Sequence, residues 1–132
     1  MIQAGITGDE PINTRIAHRI VVADDDKNLR AVIEDLLTDA GYEVAGASDG
    51  VEALAAVEHA VPALMLLDMR MPRMDGLAVL EHLRQSGRTF PVVVITAQPD
   101  AGEAALARGA VRVLIKPVSP DVLLDAVQSA VA

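Results

Sequence analysis

The chain has no cysteine and no tryptophan, and only 2% of its 132 residues are aromatic. Without cysteine there can be no disulfide, no thiolate nucleophile and no cysteine-ligated zinc or iron–sulfur site. Apolar runs long enough to span a bilayer are also missing, and the N-terminus lacks a basic segment followed by an apolar one. We therefore expect a soluble, cytoplasmic protein without a membrane partner, whose core is built from Val, Leu, Ala and Ile.

Basic residues are outnumbered by acidic ones, so the formal net charge at pH 7 is −8. Direct nucleic-acid binding requires a basic face, so we do not expect nucleic acid as a partner. The length suits a single domain with its own core. Residues 1–18 contain glycines and a proline but no hydrophobic periodicity, and are predicted to form a flexible N-terminal arm. Residues 19–132 are predicted to form the domain.

Five short apolar segments alternate with five segments of helical periodicity. The predicted strands are residues 20–23, 43–47, 63–67, 92–95 and 111–115. The predicted helices are residues 29–40, 50–59, 76–85, 100–108 and 120–130, with Val122, Leu123, Ala126 and Val127 on the buried face of the last. This alternation is typical of an α/β fold, a flavodoxin-like (βα)5 doubly wound five-stranded parallel sheet of order 2-1-3-4-5.

The segment 63–67 is an unbroken apolar run that ends on Asp68. Continuous apolar residues are typical of a central parallel strand that is buried on both faces. Open α/β sheets bind their ligands at the carboxyl ends of such strands, which is where Asp68 falls. Alone, Asp68 could also be a residue that merely caps the following loop.

Polar residues also end three other predicted strands: Asp24 and Asp25 follow the first, Thr96 the fourth and Lys116 the fifth. The predicted strand order brings them to one edge of the sheet with Asp68. Three carboxylates in one cleft repel one another, and a hard divalent ion such as Mg²⁺ relieves this. Lys116 and Thr96 could contact phosphate oxygens, and Asp68 could be a nucleophile that forms an acyl phosphate.

Other residues near these positions have simpler interpretations. Asp26 is predicted to be a helix N-cap rather than a metal ligand. The methionines of the loop after Asp68 are interpreted as packing residues. The three histidines are interpreted as structural or exposed rather than catalytic. These residues are Met69, Met71 and Met74, and His18, His59 and His82.

From residue 19 onward the chain resembles the receiver domain of two-component response regulators. The segments that carry the resemblance are Ile20-Val-Val-Ala-Asp-Asp-Asp26, Asp49-Gly-Val-Glu-Ala-Leu54, Leu67-Asp-Met-Arg-Met-Pro-Arg-Met-Asp-Gly76, Ile95-Thr-Ala97 and Ile115-Lys-Pro117. The resemblance implies that Asp68 accepts a phosphoryl group from a sensor histidine kinase or a histidine phosphotransfer protein. It also implies a signalling domain rather than a turnover enzyme, a monomer or weak dimer acting on a downstream protein target.

The resemblance further implies the roles of individual residues. Mg²⁺ would be bound by Asp24, Asp25, Asp68 and the backbone carbonyl of Arg70. Thr96 and Lys116 would contact the phosphoryl group, Ala97 would leave it room, and the Lys116–Pro117 bond would be cis.

The sequence departs from the family pattern at three points. Val113 stands where the family usually has a Tyr or Phe that couples to Thr96. The segment 96–109 is shorter than usual, and Gly102 weakens its helix. Arg70 lies two residues after Asp68 in the sequence, close enough to reach or shield a phosphoryl group.

Two alternatives remain open at this stage. The first is a receiver-like interaction module that works without phosphorylation, which the missing aromatic at Val113 would permit. The second is a phosphatase of the haloacid dehalogenase type, for which Asp24-x-Asp26 would supply the motif, although Asn28 replaces the expected Thr. The domain is either a stand-alone receiver or part of a longer protein.

Overall fold

The computed structural model describes residues 18–131, so the predicted arm lies outside the described residues except for His18. The strands are β1 (Arg19–Ala23), β2 (Glu43–Ala47), β3 (Leu64–Asp68), β4 (Val92–Thr96) and β5 (Arg112–Ile115). The helices are α1 (Lys27–Asp39), α2 (Gly50–His59), α3 (Gly76–Ser86), α4 (Pro99–Ala107) and α5 (Pro120–Val131).

The five strands form one parallel sheet in the order β2-β1-β3-β4-β5. The predicted fold class and strand order are therefore confirmed. The register pairs Ala23 with Leu67, and Asp68 with Ile95. The carboxyl ends of β1, β3 and β4 consequently lie level with one another, so the residues that follow them share one edge of the sheet.

The two central strands are buried along their whole length, as the continuous apolar runs predict. Every residue of β3 and β4 is buried, including the terminal Asp68 and Thr96. One apolar cluster packs α2, α3 and α4 against one face of the sheet, and a second packs α1 and α5 against the other. With helices covering both faces, a polar side chain on these strands can reach solvent only at a strand end.

The predicted ends of the strands and helices lie within two residues of the ends in the structure. The larger error concerns Val122, which was expected on the buried face of α5 but is 44% exposed. Leu123, Ala126 and Val127 fill the contact with the sheet. The apolar stripe of α5 is therefore wider than the face it buries. Among the described residues, no helix is long and apolar enough to cross a membrane.

Candidate functional site

The predicted polar residues do converge at the carboxyl edge of the sheet. Asp24, Asp68 and Thr96 are 2%, 6% and 1% exposed, whereas Asp25 is exposed. The backbone N–H of Asp24 donates to the Ala47 carbonyl at 3.0 Å, which extends the β1–β2 pairing to this residue. Asp24 and Asp68 thus belong to the rigid edge of the sheet, and Asp25 faces the solvent beside them.

Lys116 joins the two buried carboxylates. Its Nζ donates to Asp24 Oδ2 at 3.2 Å and lies 3.5 Å from Asp68 Oδ1. Its backbone N–H donates to the Thr96 carbonyl at 2.8 Å, which ties the end of β5 to the end of β4. The Lys116–Pro117 peptide bond is cis, as the resemblance implies. The ammonium group is therefore held between two carboxylates from different strands.

This arrangement shifts the proton equilibria of both partners. Burial and the negative charge of Asp24 raise the pKa of Asp68, against the opposing effect of Lys116 and of the Arg70 backbone N–H. Burial alone would lower the pKa of Lys116, but the charges of Asp24 and Asp68 outweigh it and raise that pKa. Lys116 therefore stays protonated near neutral pH, and the carboxylate of Asp68 carries a desolvation cost that a cation would offset.

Three carboxylates at this edge have the arrangement of a cation site. One oxygen from each of Asp24, Asp25 and Asp68 lies within 4.8 Å of the others. Oxygen ligands of this type suit hard divalent cations, and Mg²⁺ commonly takes only a few carboxylates and keeps water in its other positions. Asp25 and Arg70 also line an open cleft of about 440 Å³, which leaves the edge accessible from solvent.

The capping, packing and exposure expected of the neighbouring residues are confirmed. The Asp26 carboxylate accepts the backbone N–H groups of Asn28 and Leu29 at 3.0 and 3.1 Å, so Asp26 is the N-cap of α1. It is exposed and is committed to the helix, which disfavours an Asp24-x-Asp26 catalytic pair. Met69 and Met71 are buried in the core, and Met74 packs against it. The three histidines are exposed.

Arg70 reaches across the edge to the loop after β4. With the Gln98 amide oriented so that its oxygen faces the guanidinium, that oxygen accepts from Arg70 Nη2 at 2.5 Å and from Nε at 3.2 Å. The Gln98 backbone N–H donates to Thr96 Oγ1 at 3.1 Å. Arg70 and Thr96 are therefore connected through one residue, Gln98, which sequence reasoning did not single out.

A second ion pair near the site, besides that of Lys116 with Asp24, was not predicted from the sequence. The guanidinium of Arg73, in the loop between β3 and α3, donates to the buried carboxylate of Asp49. Asp49 was named only within a segment that carries the family resemblance, and in the structure it caps α2 by accepting the Glu52 N–H at 2.8 Å. No spacing rule connects residues in two separate loops, so the sequence carried no signal for the pair.

The departure at Val113 has a structural counterpart in α4. A Cβ built on Gly102 would lie 3.1 Å from Val113 Cγ1. The small residue in α4 thus lets that helix lie close against β5 where Val113 stands. Gly102, which was predicted to weaken α4, is also one of the two buried residues of that helix.

Comparison with known proteins identifies the family to which this fold belongs. The family model of the response regulator receiver domain matches residues 20–128. The chain therefore belongs to the response regulator receiver domain family.

Similar sequences and structures agree with this assignment. The response regulator MprA of Mycobacterium leprae is 40% identical over 113 residues, which are 84% of this chain and 50% of that protein. The chain thus spans about half the length of the curated relatives that it matches. The chemotaxis protein CheY4 of Vibrio cholerae is 31% identical with a TM-score of 0.81, covering 87% of this chain and 99% of that one. NtrX of Brucella abortus is 32% identical with a TM-score of 0.82, covering 88% and 27%.

Proposed function

We propose that this receiver domain accepts a phosphoryl group on Asp68 from a phosphohistidine of a sensor histidine kinase or a histidine phosphotransfer protein. The observation that carries the proposal is the placement of Asp68, a buried strand-end carboxylate within 3.5 Å of a lysine ammonium and beside Asp24. In the reaction, a carboxylate oxygen of Asp68 forms a bond to phosphorus while the bond from phosphorus to the histidine nitrogen breaks. The imidazole leaves with the electron pair of that bond.

The acidic residues would hold a magnesium ion through Asp24, Asp25, Asp68 and the backbone carbonyl of Arg70. When bound, Mg²⁺ would offset the charge of the carboxylates and of the transferred phosphoryl oxygens. The support is chemical: three oxygen ligands lie close together, and the two buried ones have one lysine ammonium group as the cation that both contact. Phosphoryl transfer depends mainly on positioning and charge neutralisation, which this set of residues can provide.

Lys116 and Thr96 would contact the phosphoryl group once it is on Asp68. The Lys116 ammonium already lies 3.5 Å from Asp68 Oδ1 and is free to donate to a phosphoryl oxygen in place of a carboxylate. Thr96 Oγ1 accepts the N–H of Gln98, so its own hydroxyl hydrogen remains available to donate. The small side chain of Ala97 adds no bulk beside it.

The phosphodonor protein would dock in an apolar groove that adjoins this edge. The groove has a volume of about 480 Å³ and runs between α1 and the residues after β5. Ala97 and Lys116 line both the groove and the proposed phosphoryl site, so a helix seated there could present its phosphohistidine to Asp68. Val32, 62% exposed on α1, offers apolar area on the same wall.

With these roles, the chain would be a phosphoacceptor that assists its own phosphorylation rather than an enzyme that turns over an external substrate.

The test is intact mass after incubation with acetyl phosphate, with and without magnesium. We expect a magnesium-dependent gain of one phosphoryl group in the wild type and in Asp100→Asn, a matched change of an exposed acid, but none in Asp68→Asn. A gain in Asp68→Asn would move the acceptor elsewhere. No gain in any of the proteins would favour an interaction module that works without phosphorylation.

A further inference from the structure

The loop between β3 and α3, residues 69–75, carries the carbonyl of Arg70 that is expected to bind magnesium. Three of its contacts are local: the N–H of Gly76 donates to the Met69 carbonyl, that of Met74 to Pro72, and Asp75 caps α3. Such contacts shape the loop but do not fix it relative to the rest of the sheet edge. The buried side chains of Met69 and Met71 and the bond from Arg70 to Gln98 hold its first half, and Met74 packs against the core in its second half.

The second half of this loop is bound to the start of α2. The N–H of Gly50 donates to the Met74 carbonyl at 3.0 Å, and a Cβ on Gly50 would overlap that carbonyl, so the two backbones touch. Beside this contact, Arg73 Nε donates to Asp49 Oδ2 at 2.8 Å, with Nη2 at 2.5 Å from the same oxygen. Arg73 and Met74, which are adjacent in this loop, thus contact Asp49 and Gly50 at the start of α2.

The backbone of Arg73 shows that this contact between the loop and α2 has a conformational cost. Its φ is +63°, and it is the one non-glycine residue in the described part of the chain with positive φ. A side chain with a Cβ disfavours this region, which glycine enters freely. The conformation persists because the surrounding contacts determine it, and the ion pair with Asp49 is the contact that a glycine could not supply.

The Asp49 carboxylate is equally committed. It is 4% exposed and accepts the Glu52 N–H as well as the guanidinium. The Glu52 N–H, and then Arg73, lower the pKa of Asp49 against the effect of burial. An ionised and nearly inaccessible carboxylate requires partners of this kind, and Arg73 is its cationic one.

We propose that Arg73 is a positioning residue: by pairing with Asp49 it fixes the β3–α3 loop and thereby the Arg70 carbonyl at the magnesium edge of the site. Arg73 acts on the cation through the loop and touches neither the cation nor the phosphoryl group. The inference rests on the proposed function, since it assigns a role in magnesium binding that the proposed phosphorylation requires. Groups that orient metal ligands typically change metal affinity about 10- to 100-fold when they are removed.

The experiment measures magnesium affinity by titration calorimetry on the full chain for the wild type, Arg73→Gly, Asp49→Asn and the double variant. Arg73→Gly removes the guanidinium but leaves a residue that adopts positive φ without strain. Asp49→Asn keeps an effective N-cap and removes the charge. We expect each single variant to bind magnesium about 10-fold more weakly, at the lower end of the range for such positioning groups. The double variant should be no weaker than either, because the two residues act as one pair.

Two further proteins separate positioning from general destabilisation. Arg84→Ala removes an arginine of similar exposure that pairs with Glu81, away from the site, and should leave magnesium affinity unchanged. Arg73→Lys keeps the charge without the planar fork and should fall between the wild type and Arg73→Gly. Phosphorylation by acetyl phosphate should then need more magnesium in Arg73→Gly, with the rate at saturating magnesium within about twofold of the wild type.

The outcomes separate this inference from the proposed function. If the wild type binds no magnesium and gains no phosphoryl group, the proposed function fails, and this inference fails with it. If the wild type does both and Arg73→Gly binds magnesium as tightly as the wild type, only the positioning role is overturned. A loss of affinity that Arg84→Ala shares would overturn it as well, because the effect would not depend on the loop.

Discussion

Replacing Lys116 by methionine would remove the cation between the two buried carboxylates while keeping most of the side-chain volume. The ammonium lies 3.2 Å from Asp24 Oδ2 and 3.5 Å from Asp68 Oδ1. At an effective dielectric constant of about 20, each attraction is about 5 kcal/mol. The repulsion between the two carboxylates, whose oxygens lie within 4.8 Å of each other, is at least about 3.5 kcal/mol on the same basis. These are gross terms, and desolvation of the three groups opposes the attractions.

The net effect of the replacement is much smaller than the sum of the attractions. Leaving a buried charge without its partner typically costs roughly 3–5 kcal/mol. The side chain of Lys116 is 22% exposed, so water compensates in part, and we expect a loss of about 2 kcal/mol in the free energy of unfolding at pH 7 without magnesium. Urea unfolding followed by far-ultraviolet circular dichroism measures it, since the chain has no tryptophan.

A second substitution, or added magnesium, should reverse that loss of stability. In Lys116→Met/Asp68→Asn one of the two unbalanced carboxylates is gone, and with it the repulsion between them, so we expect at least half of the stability to return, since the two sites are in contact and couple. Magnesium should stabilise Lys116→Met more than the wild type, because no ammonium competes for the carboxylates. Arg84→Met, which breaks an exposed ion pair elsewhere, should change stability little.

Specific results would contradict this account of the charge balance. If Lys116→Met unfolds at the same urea concentration as the wild type, the ammonium does not balance the carboxylates. If the second change at Asp68 adds to the loss instead of reversing it, the destabilisation comes from lost packing of the lysine stem. Either result would also weaken the expectation that the three carboxylates need a cation.

Three other variants test separate features of the site and of α4. Asp68→Asn should be more stable than the wild type at pH 7, and urea unfolding at a series of pH values should show the difference shrinking toward acid. The sign follows because the raised pKa of Asp68 makes the folded state bind its proton more tightly, so wild-type stability falls as pH rises from the ordinary carboxyl pKa through the raised one; a difference that is constant with pH would contradict it. Arg70→Ala should change the decay rate of the phosphorylated chain more than its formation rate, because the guanidinium lies over the edge of the site; equal decay rates, measured by intact mass over time, would refute this. Gly102→Ala alone should be nearly neutral, since about 1 kcal/mol of helix propensity is offset by the 3.1 Å approach to Val113, whereas in Val113→Ala it should stabilise by about 1 kcal/mol in thermal unfolding; equal effects in both backgrounds would show that the contact is unimportant.

The sheet and the edge residues could be predicted because both follow from strand order. Asp24, Asp68, Thr96 and Lys116 each stand at the end of an apolar run. In a parallel sheet all such ends lie on one edge, so recognising the strands was enough to bring these residues together.

The lateral connections between loops could not be predicted in this way. The pairing of Arg70 with Gln98 depends on how two loops lean toward each other after β3 and β4. The exposure of Val122 likewise depends on how α5 is rotated on the sheet, and an apolar stripe that is wider than the contact does not specify the rotation. Periodicity identifies an element and its general face, but not the angle at which that face meets its neighbours.

The two ion pairs at and near the site show which kind of contact the sequence predicts and which it does not. Lys116 and Asp24 are 92 positions apart, whereas Arg73 and Asp49 are only 24 apart, yet the sequence indicated that the first two residues meet and not the second two. Distance along the chain was therefore not what made a contact predictable. Lys116 is held by a strand whose place in the sheet is defined by topology, whereas Arg73 reaches its partner through a left-handed backbone conformation in the middle of a loop. For that reason we expect charged residues at strand ends, such as those proposed to act on the phosphoryl group, to be predictable from the sequence, and the loop contacts that position them to require the structure.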